Sequence, residues 1–352
     1  MSPTIADLDL FLVEKRDRGR EHPIRSLLVR LVAEGGLEGW GESQTTWHAP
    51  ELPARRYALL SVLANRSIFD VEELLGLPVL RTASIRCAVE MASWDLIGRA
   101  AGQPLCNLFG GTYRRRVPLA VRLHGKTPDE IVVVARDLCQ QGFHTQIVPS
   151  SGNVHRDLET LHGVRDSVGD RVALSFDAAA AFDMENAREL CAEIESASLR
   201  AVLDPLDTRN LDQVASLRRQ TSVPLCAWRA IRSPADMLAV IRCGAAGEAV
   251  VDLQLVGGIA QARRCGAIAQ AAAMPTALCA GQSLGIGLAA MLQLACALPV
   301  FAECNECARL HLQDDILVES VEIVDGTATT PVGPGLGVEV DRAKLEKHQI
   351  LH

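Results

Sequence analysis

Between residues 26 and 34 (SLLVRLVAE) apolar side chains fall on alternate positions, the period of a strand with one buried face. Gly35-Gly36 then turns the chain and residues 37–43 (LEGWGES) open a second strand, which together predict a β-hairpin. Helical spacing takes over at 51–65 and 83–101. A sheet followed by helices predicts an α+β unit. From Val117 the pattern changes to short apolar runs separated by amphipathic segments. The runs are 117–123, 144–149, 172–178, 200–206, 223–228, 248–255, 275–280 and 300–304, with helices such as 128–141, 184–197, 234–243 and 258–272 between them. Eight such runs predict an α/β barrel of parallel strands, (β/α)7β and TIM-like, with its chemistry at the C-terminal ends of the strands. Residues 316–341 are strand-like again and carry Pro-Val-Gly-Pro-Gly-Leu-Gly, as a segment that returns to the first unit. The expected organisation is a first α+β domain at 1–116, completed by 320–352, and a barrel at 117–319.

Charge and cysteine content narrow the partners. With 35 basic and 43 acidic residues the net charge is −8, a poor match to nucleic acid, which needs clustered positive charge. The longest apolar stretch, Ile286 to Ala302, contains Gln293 and Pro299, so it reads as a buried helix running into a strand and not as a membrane span. The polar, acidic N-terminus and 11 unpatterned cysteines point to a reducing cytoplasm. Cys304 and Cys307 form a lone C-x-x-C without the second pair that zinc requires, so burial on a helix or at a strand end is the simpler reading.

Several long segments together resemble the enolase superfamily, in its mandelate racemase / muconate lactonizing enzyme branch. LVRLVAEGGLEGWGES is similar to the capping-domain hairpin of that family, and MASWDLIGRAAGQPLCNLFGG to the helix before its barrel. RCGAAGEAVVDLQLVGGIAQARRCGAIAQAAAMP resembles the sixth strand with its Gly-Gly loop, and PVGPGLGVEVD the C-terminal closure. The resemblance implies an enolase-like fold, a homo-oligomer and proton abstraction next to the carboxylate of a small molecule. In the family a divalent metal stabilises the enediolate and a Lys or His acts as base.

This sequence departs from that pattern. Of the three metal-binding carboxylates, the strand-three aspartate is present as Asp177, but the other two positions fall at Leu203 and Arg229. Magnesium needs oxygen ligands, so no metal cofactor is expected. Asp204 adjoins Leu203, yet strand alternation points it out of the barrel if Leu203 points in. The family's Lys-x-Lys falls at Ile147-Val148-Pro149, and no lysine lies between 127 and 343. Lys126 follows strand one in a turn and is expected to be solvated. The alternative base, a His paired with an Asp, falls at Cys279 and Asp252.

The polar set expected at the barrel mouth is Asp177, Arg229, Asp252 and Cys279, flanked by Trp228 and His124, with Glu303, Asn305 and Glu306 around the end of strand eight. Arg229 could replace the metal's charge and bind a substrate carboxylate in a bidentate fork, or it could be a salt bridge in a dead site. Cys279 could be an acid or base if Arg229 lowers its pKa, or simply a core residue. Asp252 could be a general base, or an ion-pair partner of Arg229 and thereby a weak base. The basic loop 16–25, with Trp47 and His48, could recognise a second anionic group or be a solvated surface. Two functions stay open: a metal-independent lyase or isomerase, acting by elimination, epimerisation or cycloisomerisation, and a catalytically inactive relative retained for ligand binding or assembly.

Overall fold

The computed structural model describes residues 3–15, 23–303, 305–307 and 315–351. An antiparallel sheet of three strands opens the chain: β1 (Ile5–Lys15), β2 (Ile24–Ala33) and β3 (Glu38–Gln44). The expected hairpin is β2–β3. The first strand is an addition to the sequence-based expectation, although its alternation is plain: Leu8, Leu10 and Leu12 are buried. Asp7 and Asp9 on its other face pair with Arg56 and Arg30. The helix Ala83–Ala100 packs across this sheet so closely that a Cβ at Gly41 would run into the Ala88 carbonyl.

Eight parallel strands then close a barrel. They are β4 (Arg116–Arg122), β5 (Thr145–Pro149), β6 (Ala173–Asp177), β7 (Ala201–Leu203), β8 (Leu225–Ala227), β9 (Glu248–Asp252), β10 (Thr276–Cys279) and β11 (Asn305–Glu306). Pairing runs in chain order and β11 returns to β4, so no edge is left open. A small inner cluster fills the barrel: Ala201, Leu203, Cys226, Trp228, Val250, Ala277 and Cys279. The alternate positions pack outward on the helices.

Three expectations need correction. The eighth strand is Asn305–Glu306, not 300–304. Phe301 is fully buried in the outer core ahead of the strand, so the apolar run marks packing and the strand itself is polar. The sixth strand stops at Asp252, whose carboxylate caps a single helical turn, Leu253–Val256. The strand-like stretch 316–341 contains only short strands, β12 (Ile323–Val324) and β13 (Thr327–Thr329). Of these, β13 pairs with barrel strand β4, and only the residues after it return to the first unit, through Leu336 and Asp95. The stretch from Ile286 does form a buried helix, Gly285–Ala297, and among the described residues no helix is long and apolar enough to cross a membrane.

The sheet and its helix are tied to the barrel by two buried carboxylates. Glu90 accepts the backbone N–H groups of Ile259 and Ala260 at 2.6 and 2.7 Å, at the start of the helix Ile259–Ala271. Gly258 lies so close that any Cβ there would strike the Glu90 carboxylate, so the position requires glycine. Glu42 does the same for the helix Gly285–Ala297, accepting from Leu284 and Gly287 at 2.6 and 2.9 Å. A carboxylate at a helix N-terminus satisfies unpaired N–H groups and meets the positive end of the dipole. Burial nevertheless outweighs these donors and pushes both acids up to about 7.

That shift has a defined sign. Native Glu90 holds a proton that the unfolded chain, titrating near an ordinary carboxylate pKa, has released between about pH 4.5 and 7. Its stabilising contribution is therefore greatest below that window and is lost as pH rises through it, by at most about 1.4 kcal/mol per pH unit. Urea unfolding of wild type and Glu90→Gln from pH 4.5 to 8 is expected to show a wild-type midpoint that falls relative to the variant. Parallel curves would refute the shift.

Candidate functional site

The C-terminal strand ends converge on a cavity of about 470 Å³. Its wall includes Arg122 from β4, Asp177 from β6, Asp252 from β9, Cys279 from β10 and Glu306 from β11, with Trp228, Arg229 and Arg232 following β8. His124 lines it from beyond β4, and Gln44 reaches it from the first sheet. Of the residues expected from the sequence, Asp177, Arg229, Asp252, Cys279, Trp228 and His124 are brought together. Trp47 and His48 are not: neither lines the cavity. Trp47 packs against the core of the first unit with Arg55 stacked over it at 4.7 Å, and His48 lies 3.5 Å from Arg25. Residues 16–22 of the basic loop lie outside the described residues, as does Cys304. Lys126 is exposed and does not line the cavity. Glu303 pairs with Arg200 near the start of β7.

Asp177 is the hub. Its Oδ1 accepts from Arg229 Nη1 at 2.8 Å and from the Ala179 N–H at 3.0 Å. Its Oδ2 accepts from Arg229 Nη2 at 2.7 Å and Arg122 Nη1 at 2.6 Å. A carboxylate offers about four lone-pair sites, and all are used. Burial alone would push this acid up, but the two guanidiniums outweigh it and hold it below its ordinary value. Arg122 went unnoticed in the sequence. It also donates from Nε to Glu306 at 3.0 Å. Its signal was position: it ends the first barrel strand, where site residues belong.

Asp204 overturns the expectation from alternation. It does not point away from Arg229. Its backbone has φ +43°, outside strand geometry, and this turns the carboxylate toward the next strand. There it accepts the N–H groups of Trp228 and Arg229 at 2.9 and 2.8 Å, and Arg229 Nη1 at 3.0 Å. Leu203 faces the barrel interior as expected.

These contacts also correct the role expected of Arg229. Its bidentate face is occupied by Asp177, so it cannot offer that fork to a substrate carboxylate. It is a fixed cation, stacked on Trp228 with its centre 4.4 Å from the ring, and Arg122 stands 5.1 Å from the same ring.

The divalent metal implied by the resemblance does not fit this donor set. Asp177 has no lone pair to spare, Leu203 supplies carbon, and the third ligand position holds a guanidinium that bridges Asp177 and Asp204.

Asp252 is different. Among the described residues no guanidinium pairs with it. It accepts from the Gln254 N–H at 2.8 Å and from Trp228 Nε1 at 3.3 Å. Burial, reinforced by neighbouring Glu306, pushes it up to about 6. The anticipated ion pair with Arg229, which would have weakened it as a base, is absent. Cys279 lines the same cavity. It is 1% exposed, and burial, reinforced by Asp252 and Glu306, outweighs the nearby Arg122 and pushes its thiol well up, so it rests as the neutral thiol.

Two family models match the chain. One, described as "Enolase C-terminal domain-like", covers residues 130–344, and the other, "Mandelate racemase / muconate lactonizing enzyme, N-terminal domain", covers 18–110. Muconate cycloisomerase 1 of Rhodococcus opacus is 27% identical over 332 residues, which is 90% of this chain and 88% of the relative. The o-succinylbenzoate synthase of Geobacillus kaustophilus is 27% identical over 337 residues, 92% and 88% of the two chains. Among solved structures, an isomerase from Streptomyces coelicolor A3(2) superposes with a TM-score of 0.87 at 26% identity, covering 99% of each chain.

Proposed function

Because this chain belongs to the mandelate racemase / muconate lactonizing enzyme branch of the enolase superfamily, we propose that it is an isomerase or lyase that moves a proton next to the carboxylate of a small molecule without a divalent metal. One observation supports the reading above all. Asp252 stands in the cavity wall free of any cation among the described residues, with a pKa near 6 that suits a base at neutral pH.

Asp252 takes the proton from the carbon adjacent to the carboxylate. Negative charge then grows on the carboxylate oxygens. Arg229 and Arg122, locked in place by Asp177 and with their bonds already taken, act on that charge only through their field across the cavity and do not bind the carboxylate themselves. Their geometry is set before substrate arrives, so no reorganisation is needed during the step. Elimination and epimerisation share this first step and diverge only afterwards; in a cycloisomerisation the same carbon instead takes up a proton after the ring-closing C–O bond has formed, and the proton is delivered by the protonated form of the same group. The relatives named for cycloisomerisation and for o-succinylbenzoate synthesis are compatible with proton transfer at a carbon next to a carboxylate.

The test needs no knowledge of the product. The protein is incubated in D2O at pH 8 with a panel of small carboxylates, with EDTA or with added Mg²⁺, and deuterium uptake is read by mass spectrometry. Uptake by at least one compound, unchanged by EDTA, is expected. Uptake that requires Mg²⁺ would defeat the metal-free mechanism. No uptake across the panel would favour the inactive relative, to which the saturated Asp177–Arg229 fork also lends support.

A further inference from the structure

We propose that Arg232 is the anchor for the substrate's carboxylate, a proposal that rests on the carboxylate-active reading above. Among the described residues three arginines line the cavity. Arg122 is committed to Asp177 and Glu306, and Arg229 to Asp177 and Asp204. Arg232 is exposed to the cavity mouth, and among the described residues no carboxylate pairs with its guanidinium. Its one side-chain bond runs from Nε to the Arg229 carbonyl at 3.3 Å. That bond tethers the inner edge of the guanidinium. The outer edge, with Nη1 and Nη2 side by side, is the edge that receives a carboxylate end-on through two parallel bonds.

The backbone beneath it is built to hold position. The Arg232 N–H donates to Asp236 at 3.1 Å, and Ser233 caps the helix Pro234–Cys243 by accepting the Asp236 N–H at 3.2 Å. Asp236 thus serves the backbone and does not neutralise the guanidinium. A free cation on a fixed loop at the rim of a closed-charge site is the place where an incoming anion gains most. The substrate carboxylate then sits at the rim, with the rest of the molecule between Trp228, Leu255 and Asp252.

The experiment combines arginine labelling with ligand binding on the full chain. p-Hydroxyphenylglyoxal reacts with guanidiniums that are not held by carboxylates. Labelling sites are mapped by mass spectrometry, with and without cis,cis-muconate or o-succinylbenzoate as probes. The affinity of each probe is measured by calorimetry on wild type, Arg232→Gln and Arg232→Lys. Arg232 is expected to be labelled before Arg122 and Arg229, and a bound probe should slow that labelling. Probe affinity should fall by about tenfold or more in Arg232→Gln and partly recover in Arg232→Lys, which keeps the charge but loses the fork. Labelling of Arg229 ahead of Arg232 would overturn the assignment. So would a probe that binds wild type and Arg232→Gln equally, an outcome that leaves the carboxylate reading standing. If neither probe binds wild type nor slows labelling, the carboxylate reading fails and the anchor falls with it.

Discussion

Arg229→Met is expected to lower the free energy of unfolding by about 3–5 kcal/mol, read as a large fall in the urea midpoint at pH 7. Asp177 and Asp204 are each 2% exposed at the side chain, and the variant removes a cation that both share. Three donated N–H bonds from the side chain disappear, leaving buried oxygens without partners. Arg122 remains to neutralise Asp177, which places the loss nearer the lower end of that range. Arg229→Lys should recover part of it, since ammonium restores charge but not the fork that spans two carboxylates. A carboxylate cluster designed around a metal behaves in the opposite way, because its acids repel one another when the ion is missing. A midpoint change equivalent to less than about 1 kcal/mol would mean that the contacts are solvated and that Arg229 does not hold the site together.

Asp252→Asn is expected to reduce kcat by about 10²–10⁴-fold, the contribution of a positioned base, while leaving the fold intact. The amide is close in shape and can still accept the Gln254 N–H. Stability provides the contrast. Native Asp252 titrates near 6, above an ordinary aspartate, so at pH 8 its ionised form is disfavoured in the folded protein relative to the unfolded chain. Removing that charge should therefore keep or raise the urea midpoint at pH 8. In the wild type, kcat/KM should rise with pH through about 6, as the base loses its proton, and the variant should lack that limb. Activity within about threefold of wild type would exclude Asp252 as the base. A midpoint that drops with activity would make the residue structural.

The barrel was legible because its strands are buried on both faces and read as short apolar runs between amphipathic helices. The same cue misplaced strand eight, since Asn305–Glu306 is polar and the apolar residues before it serve the outer core. Asp252, Asp177 and Arg229 were singled out because the resemblance puts the family's base and metal positions there, and the structure brings them together at the strand ends. Their partners were harder. A period-of-two argument sent Asp204 to the wrong side because a backbone angle of φ +43° is not written in any pattern. Arg122 was passed over within the first barrel run, and only the closed barrel shows that it shares Asp177 with Arg229. Cys279 was credited with a cation that the fold spends on other groups. Pairing of this kind depends on three-dimensional neighbours, and a single sequence holds no direct record of them.

Glu42 and Glu90 join the two halves of the molecule through partners 169 to 245 residues further along the chain. During synthesis the N-terminal sheet and its helix therefore leave the ribosome well before the residues that satisfy them. Until the segment from Ile259 to Gly287 is made, both carboxylates face water, where they carry their ordinary charge at no cost. Docking buries them and raises their affinity for a proton, so final assembly takes up protons near neutral pH. Contacts this distant in sequence form late and slowly. The nascent chain should therefore remain open to proteases along the seam between sheet and barrel until synthesis is nearly complete. A mildly acidic surrounding would favour the docked state over the open one.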